Sequence, residues 1–145
     1  MDHAAIADFN QRLAWETEQL RLDSATVSAG VQAVLTQPRH GIYFVAVAEG
    51  RVIGQCSVTY EWSDWRNGEL WWLQSVYVDA AWRGQGVFRA LFEAVERTAG
   101  EAGAVGLRLY VEENNEGAQA TYRRHGMEKT HYLVYEKTLG TDRPA

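Results

Sequence analysis

The chain has 145 residues, a net charge of −5 and a pI near 5.3, and 46% of its residues are apolar, enough to bury one core. The acidic balance argues against a nucleic-acid surface, which needs a basic patch to displace counterions. The lone Cys56 excludes an internal disulfide, no apolar run is long enough to span a bilayer, and the start around Asp2 is too polar for a signal peptide, so a cytoplasmic chain with no membrane partner is expected.

Ile6, Phe9, Leu13 and Leu20 recur at helical spacing among good helix formers and predict a first helix. Asp23 or Ser24 can cap a second helix through Val27, Val31, Val34 and Leu35, which Pro38 stops. The period then changes to that of strands. Residues 42–48 form a short apolar run, Glu49-Gly50-Arg51 reads as a tight turn, and residues 51–60 return as the second arm of a hairpin. Residues 61–68 read as a polar turn, and 69–79 as a long third strand that ends in a turn at Gly84 and Gly86.

Val87, Leu91 and Val95, with Phe88 and Phe92 four apart, mark a third helix that ends over residues 100–103. Val105, Leu107, Leu109 and Val111 alternate as a fourth strand. Residues 117–125 read as a short helix stopped by Gly126, and 132–139 as a last strand paired near Met127. Residues 1–139 thus read as one mixed α/β domain on a central sheet, and 140–145 as a frayed tail.

The stretch 75–91 carries the chemistry, because a strand there runs into a glycine turn that opens an amphipathic helix. The first turn of a helix has free N–H groups and the positive end of the dipole, and glycines let an anion approach the backbone. Arg83 and Arg89 can add charge, so the arrangement suits a phosphate or pyrophosphate. A Walker loop needs Gly-Lys-Ser/Thr, which is absent, and a Rossmann fingerprint needs a glycine where Arg89 stands.

Arg83-Gly84-Gln85-Gly86-Val87, after a strand ending in Val78, resembles the cofactor loop R-G-x-G-[IV] of the GNAT acyltransferase superfamily, with Phe88 in place of the usual closing Gly or Ala. Downstream, Asn115-Glu116-Gly117-Ala118-Gln119-Ala120-Thr121-Tyr122-Arg123-Arg124-His125-Gly126-Met127 resembles the distal motif N-x-x-A-x-x-x-Y-x-x-x-G-F, with Met127 for the last Phe. Residues 61–68 and 71–78 are similar to a bacterial branch of the same superfamily.

The resemblance implies the GNAT fold: a central mixed, mostly antiparallel sheet, splayed where the cofactor enters, with helices on both faces. The usual first strand of that fold is expected to be missing ahead of the first helix or to come from another chain. It also implies acetyl-CoA as cofactor and direct attack of a primary amine, on a small molecule or peptide, upon the thioester. The loop residues Arg83, Gly84, Gln85, Gly86, Val87, Phe88 and Arg89 would hold the pyrophosphate. Main-chain groups of Val76, Tyr77 and Val78 would pair with the pantetheine arm as an added strand. Asn115 would bond the arm, although the same residue makes an equally good helix cap.

Tyr122 would protonate the leaving thiolate. Some relatives place a basic glutamate where this chain has Gln74, so Glu61 is the first choice of base, with Asp64, Glu69, Glu16 and Glu18 as substitutes. Trp62, Trp65, Trp71 and Trp72 form either an aromatic acceptor pocket or core and dimer-interface packing. A homodimer is expected. His3, His40 and His131 are isolated and His125 reads as structural, so no metal site is expected. The alternatives to an enzyme are a non-catalytic acyl-CoA sensor of the same fold and a protein-interaction module without CoA.

Overall fold

The computed structural model describes residues 2–140, and the chain divides after Leu109 into two compact units, each described by itself. The first unit opens with α1 (His3–Glu18), which turns Ile6, Phe9 and Ala14 inward. Asp23 caps α2 (Ser24–Thr36) by accepting the Thr26 N–H at 3.0 Å. The strands β1 (Ile42–Ala48) and β2 (Arg51–Ser63) form the expected hairpin, with Glu49 and Gly50 both at positive φ as a two-residue turn requires.

β2 runs three residues further than its polar composition suggests. Glu61, Trp62 and Ser63 pair with Leu70, Glu69 and Gly68 of β3 (Gly68–Val78), leaving only residues 64–67 for the turn. Ladder hydrogen bonds along an established hairpin outweigh the weak strand preference of the side chains. After β3 come α3 (Val87–Glu101) and β4 (Gly106–Leu109).

The sheet order is β1-β2-β3-β4, antiparallel except for the parallel pair β3/β4, which makes it mixed and mostly antiparallel as expected. Successive strand residues point to opposite faces. Gln55 and its partner Tyr77 meet α1, through Asn10 and Phe9. The adjacent Gly54 meets α3, where an added Cβ would stand 2.8 Å from Val87 Cγ1. Helices therefore flank both faces. Ile53, Val58, Leu73, Leu91, Phe92 and Val95 lie in the core.

The second unit contains α4 (Glu116–Arg124), one residue offset from the expected helix. The expected last strand over 132–139 does not form, and no pairing near Met127 occurs among the described residues. Alternating apolar residues supply a strand's side-chain pattern, but a strand exists only where its backbone finds a ladder partner. Tyr132, Leu133, Val134, Tyr135 and Leu139 are all exposed instead. β4 is also shorter than the alternation suggests and leaves Val111 outside, since its pairing with β3 covers only Leu70 to Leu73. The tail expected over 140–145 lies, beyond Gly140, outside the described residues.

Candidate functional site

β3 changes character at Ser75. From Leu70 to Leu73 it has neighbours on both sides, β2 and β4. Beyond Leu73 the pairing with β4 stops, so, among the described residues, 74–78 keep a strand partner on the β2 side only. At the same point the β2/β3 register shifts: Gln55 faces Tyr77 but Ser57 faces Gln74, so Ser75 and Val76 stand opposite Cys56 alone. This is a β-bulge, and Ser75 sits in it at φ 51°. A left-handed non-glycine residue costs on the order of 1–3 kcal/mol, and such outliers persist only where their surroundings hold them.

The surroundings here are two buried polar side chains of β2. The Gln55 amide donates to the Ser75 carbonyl at 3.1 Å and to Asn10 Oδ1 of α1 at 2.9 Å. The Ser57 hydroxyl donates to the Gln74 carbonyl at 3.1 Å. Neither Gln55 nor Ser57 was among the residues singled out from sequence. Their signal was present as polar side chains on one face of an otherwise apolar strand, beside Cys56.

Past Val78 the chain makes a short 3-10 turn, Ala80–Trp82, capped by the Asp79 side chain, and enters the glycine loop. Gly84 and Gly86 adopt φ 76° and 83°, conformations that residues with a Cβ rarely take, and nothing lies within 4 Å of where a Cβ would stand on either. Gly86 is the N-cap of α3, and no side chain caps that end. The first-turn N–H groups of α3 therefore face a loop with room around it, the geometry that binds anions. Val87 packs against the sheet at Gly54, and Phe88 against Phe92 at 5.9 Å.

The two arginines are placed differently. Arg89 is highly exposed, with Glu93 at 3.4 Å. Arg83 turns back onto α1: its Nε donates to the Val78 carbonyl at 2.8 Å, its guanidinium meets Glu16 at 2.7 Å, and it lies over the Tyr77 ring at 5.1 Å. Tyr77 completes the cluster by donating its hydroxyl to Glu16 at 2.5 Å. That hydrogen bond, with the Arg83 guanidinium, holds the Glu16 carboxyl below its ordinary range despite partial desolvation. Burial and the neighbouring Glu16 raise the Tyr77 phenol, and Glu16 raises Arg83. Arg83 thus fastens the loop to α1, and its charge is largely answered by Glu16.

Glu61 lies on the α1 face of the sheet but near the hairpin end. Its Oε1 accepts from Trp72 Nε1 at 2.8 Å and from Arg108 at 3.3 Å, and Arg108 also lies 5.9 Å from the Trp72 ring. Gln74, on the same face, donates to Thr59 at 2.6 Å. The four tryptophans do not converge. Trp71 and Trp72 are adjacent in a strand and point to opposite faces; Trp71 is buried against Tyr60, Trp72 joins Glu61, and Trp65 is 92% exposed in the turn. A single aromatic pocket built from all four is therefore ruled out. Cys56 is fully buried, and burial pushes its thiol up to about 12, so it is inert.

In the second unit, Asn115 realises the cap: its Oδ1 accepts the Ala118 N–H at 3.1 Å. Tyr122 lies half-buried on α4, and the His125 ring donates to the Thr121 carbonyl at 2.9 Å. The structure thus gathers residues 76–78 and 83–89 into one continuous feature of the first unit, while Asn115 and Tyr122 share a helix of the second.

A family model described as the Acetyltransferase (GNAT) family matches residues 6–127. An aminoglycoside N(6′)-acetyltransferase type 1 from Stenotrophomonas maltophilia is 30% identical over 105 residues, covering 70% of this chain and 68% of that protein. Among solved structures, a possible acetyltransferase from Clostridium difficile 630 is 42% identical, with a TM-score of 0.89 over 97% of this chain and 93% of the other. An aminoglycoside acetyltransferase from an uncultured soil metagenomic sample, solved in complex with trehalose, is 19% identical and shares the fold, with a TM-score of 0.72 over 97% of this chain and 93% of the other.

Proposed function

The chain belongs to the GNAT acetyltransferase family, and we propose that it transfers the acetyl group of acetyl-CoA to a primary amine of a small molecule or peptide within a ternary complex. One observation carries the reading: β3 opens its edge at a bulge and runs directly into a glycine loop and the uncapped start of α3. An extended pantetheine arm would add to the open edge through main-chain groups of residues 76–78. The pyrophosphate would sit on the N–H groups of residues 84–89. The bulge would turn the Val76 N–H to the thioester carbonyl, where negative charge develops during attack.

Tyr122 is assigned the proton for the departing thiolate, and Asn115 a bond to the arm beside its capping role. Glu61 is assigned the amine's proton through Oε2, since its Oε1 is shared by Trp72 and Arg108. A cationic acceptor suits the net charge of −5, and the aminoglycoside specificity in the relative's name makes polyamines and aminoglycosides the first acceptors to try. We also propose a homodimer, supported by the exposed apolar residues between Tyr132 and Leu139 and by the exposed Trp62 and Trp65.

The test is the melting temperature with acetyl-CoA or CoA, followed by thiol release against a panel of primary amines. A ligand that binds only the folded chain adds about 2.7 kcal/mol at a hundredfold excess over its Kd. Buried Cys56 does not compete for the thiol reagent. Tyr122→Phe is expected to lower turnover about 10²-fold while leaving the CoA-induced shift in place. No shift at saturating acetyl-CoA would end the acetyl-CoA reading, and unchanged turnover in Tyr122→Phe would remove that tyrosine from the acid role.

A further inference from the structure

The bulge that would face the thioester is held from beneath by side chains outside the family motifs. Gln55 is fully buried, and Ser57 is nearly so. Burying a primary amide costs free energy unless its hydrogen bonds are made, yet Gln55 Oε1 has no partner among the described residues. Its amide donors are both used, one on Asn10 and one on the Ser75 carbonyl. A leucine or methionine would fill this place without an orphaned acceptor. What only a donor supplies here is a grip on the bulge.

The direction of that grip follows from the peptide plane. Every peptide bond in the described chain is trans. In a trans peptide the carbonyl of one residue and the N–H of the next point opposite ways. Fixing the Ser75 carbonyl against Gln55 therefore turns the Val76 N–H away from β2's polar pair. The Ser57 hydroxyl on the Gln74 carbonyl fixes the Ser75 N–H in the same manner. Asn10, which donates to the Tyr43 hydroxyl at 3.2 Å, anchors Gln55 to α1 and β1. The strained Ser75 backbone is thus clamped at two successive carbonyls.

We propose that Gln55 and Ser57 are positioning residues for acetyl transfer, aiming the Val76 N–H at the thioester carbonyl by holding the carbonyls of Ser75 and Gln74. The proposal rests on the acetyl-CoA reading above. A preorganised donor is effective because it needs no reorientation as charge develops, so a bulge free to rotate would bind the cofactor and still polarise it poorly.

The experiment is an infrared difference spectrum of acetyl-CoA labelled with carbon-13 at the acetyl carbonyl, bound without an acceptor amine. In the wild-type chain the thioester band moves to lower frequency on binding, as expected for a carbonyl that accepts a hydrogen bond. Gln55→Met, close in volume and lacking the donor, loses most of that shift while its Kd for acetyl-CoA stays within about threefold. Ser57→Ala loses part of it and Ser57→Thr keeps it, and this pair carries the test if Gln55→Met does not fold. A full band shift in both Gln55→Met and Ser57→Ala overturns the proposal. Binding without any band shift in the wild type also overturns it but leaves the cofactor reading standing. Failure of the wild type to bind acetyl-CoA removes both.

Discussion

At the scale of single residues, the largest change in meaning concerns Arg83. In the sequence it stands as a phosphate ligand; in the structure its guanidinium is committed to Glu16, Val78 and the Tyr77 ring. We propose that it serves an anion site indirectly, through the position of the loop. The cluster has a pH signature. The Glu16 carboxyl titrates below its ordinary value of 4.5 when folded, so its stabilisation is present above that value and fades as the pH falls through the lower, folded one. Both side chains are partly exposed, so the effect is modest. Glu16→Gln is expected to lower the melting temperature by about 1–3 °C at pH 7, and the gap should close as the pH falls below the ordinary carboxyl value of 4.5. A gap that persists unchanged across that range in a thermal scan would show that the carboxylate's charge is not what fastens the loop.

At the scale of elements, the glycine loop is only as well placed as α3. The N-terminus of that helix rests on the sheet where Gly54 allows close approach, 2.8 Å between a would-be Cβ and Val87 Cγ1. Val87 is short and stiff, so it cannot fold away from an added methyl. Gly54→Ala is expected to cost about 1–3 kcal/mol, or roughly 3–8 °C in Tm, and to weaken acetyl-CoA binding as the helix start is pushed outward. Val87→Ala in the same chain should restore part of both losses, although it removes a methyl pair of its own. Purely additive losses in that double-mutant cycle would locate the damage elsewhere. The same element logic explains Glu61. It was legible as a carboxylate near a turn, but register with Leu70 makes it a strand residue whose Oε1 is already shared.

At the scale of the whole molecule, the two motifs that identify the family fall in different compact units, the loop before Leu109 and the α4 motif after it. The exposed run over residues 132–139 has a strand's alternation and no strand partner among the described residues. Apolar side chains this exposed on consecutive positions favour association. Deleting everything after His131 is expected to convert a dimer into a monomer in light scattering at micromolar concentration, with α3 and the sheet still folded by circular dichroism. A full-length chain that is already monomeric at about 100 μM would end the dimer proposal.

The sequence by itself determined the helices, the hairpin and the two motifs that resemble the family, because each is written in local terms. Period 3.6 or 2, a capping Asp23, a turn at Glu49-Gly50, and two motifs of fixed spacing need no knowledge of distant residues. Tertiary structure alone decided which polar groups face one another. Glu16 meets Arg83 and Tyr77 across more than sixty residues, Gln55 meets Ser75, and adjacent tryptophans part to opposite faces. It also decided that residues 132–139 form no strand, since a strand is a property of two backbones in register and a single stretch of sequence specifies only one of them.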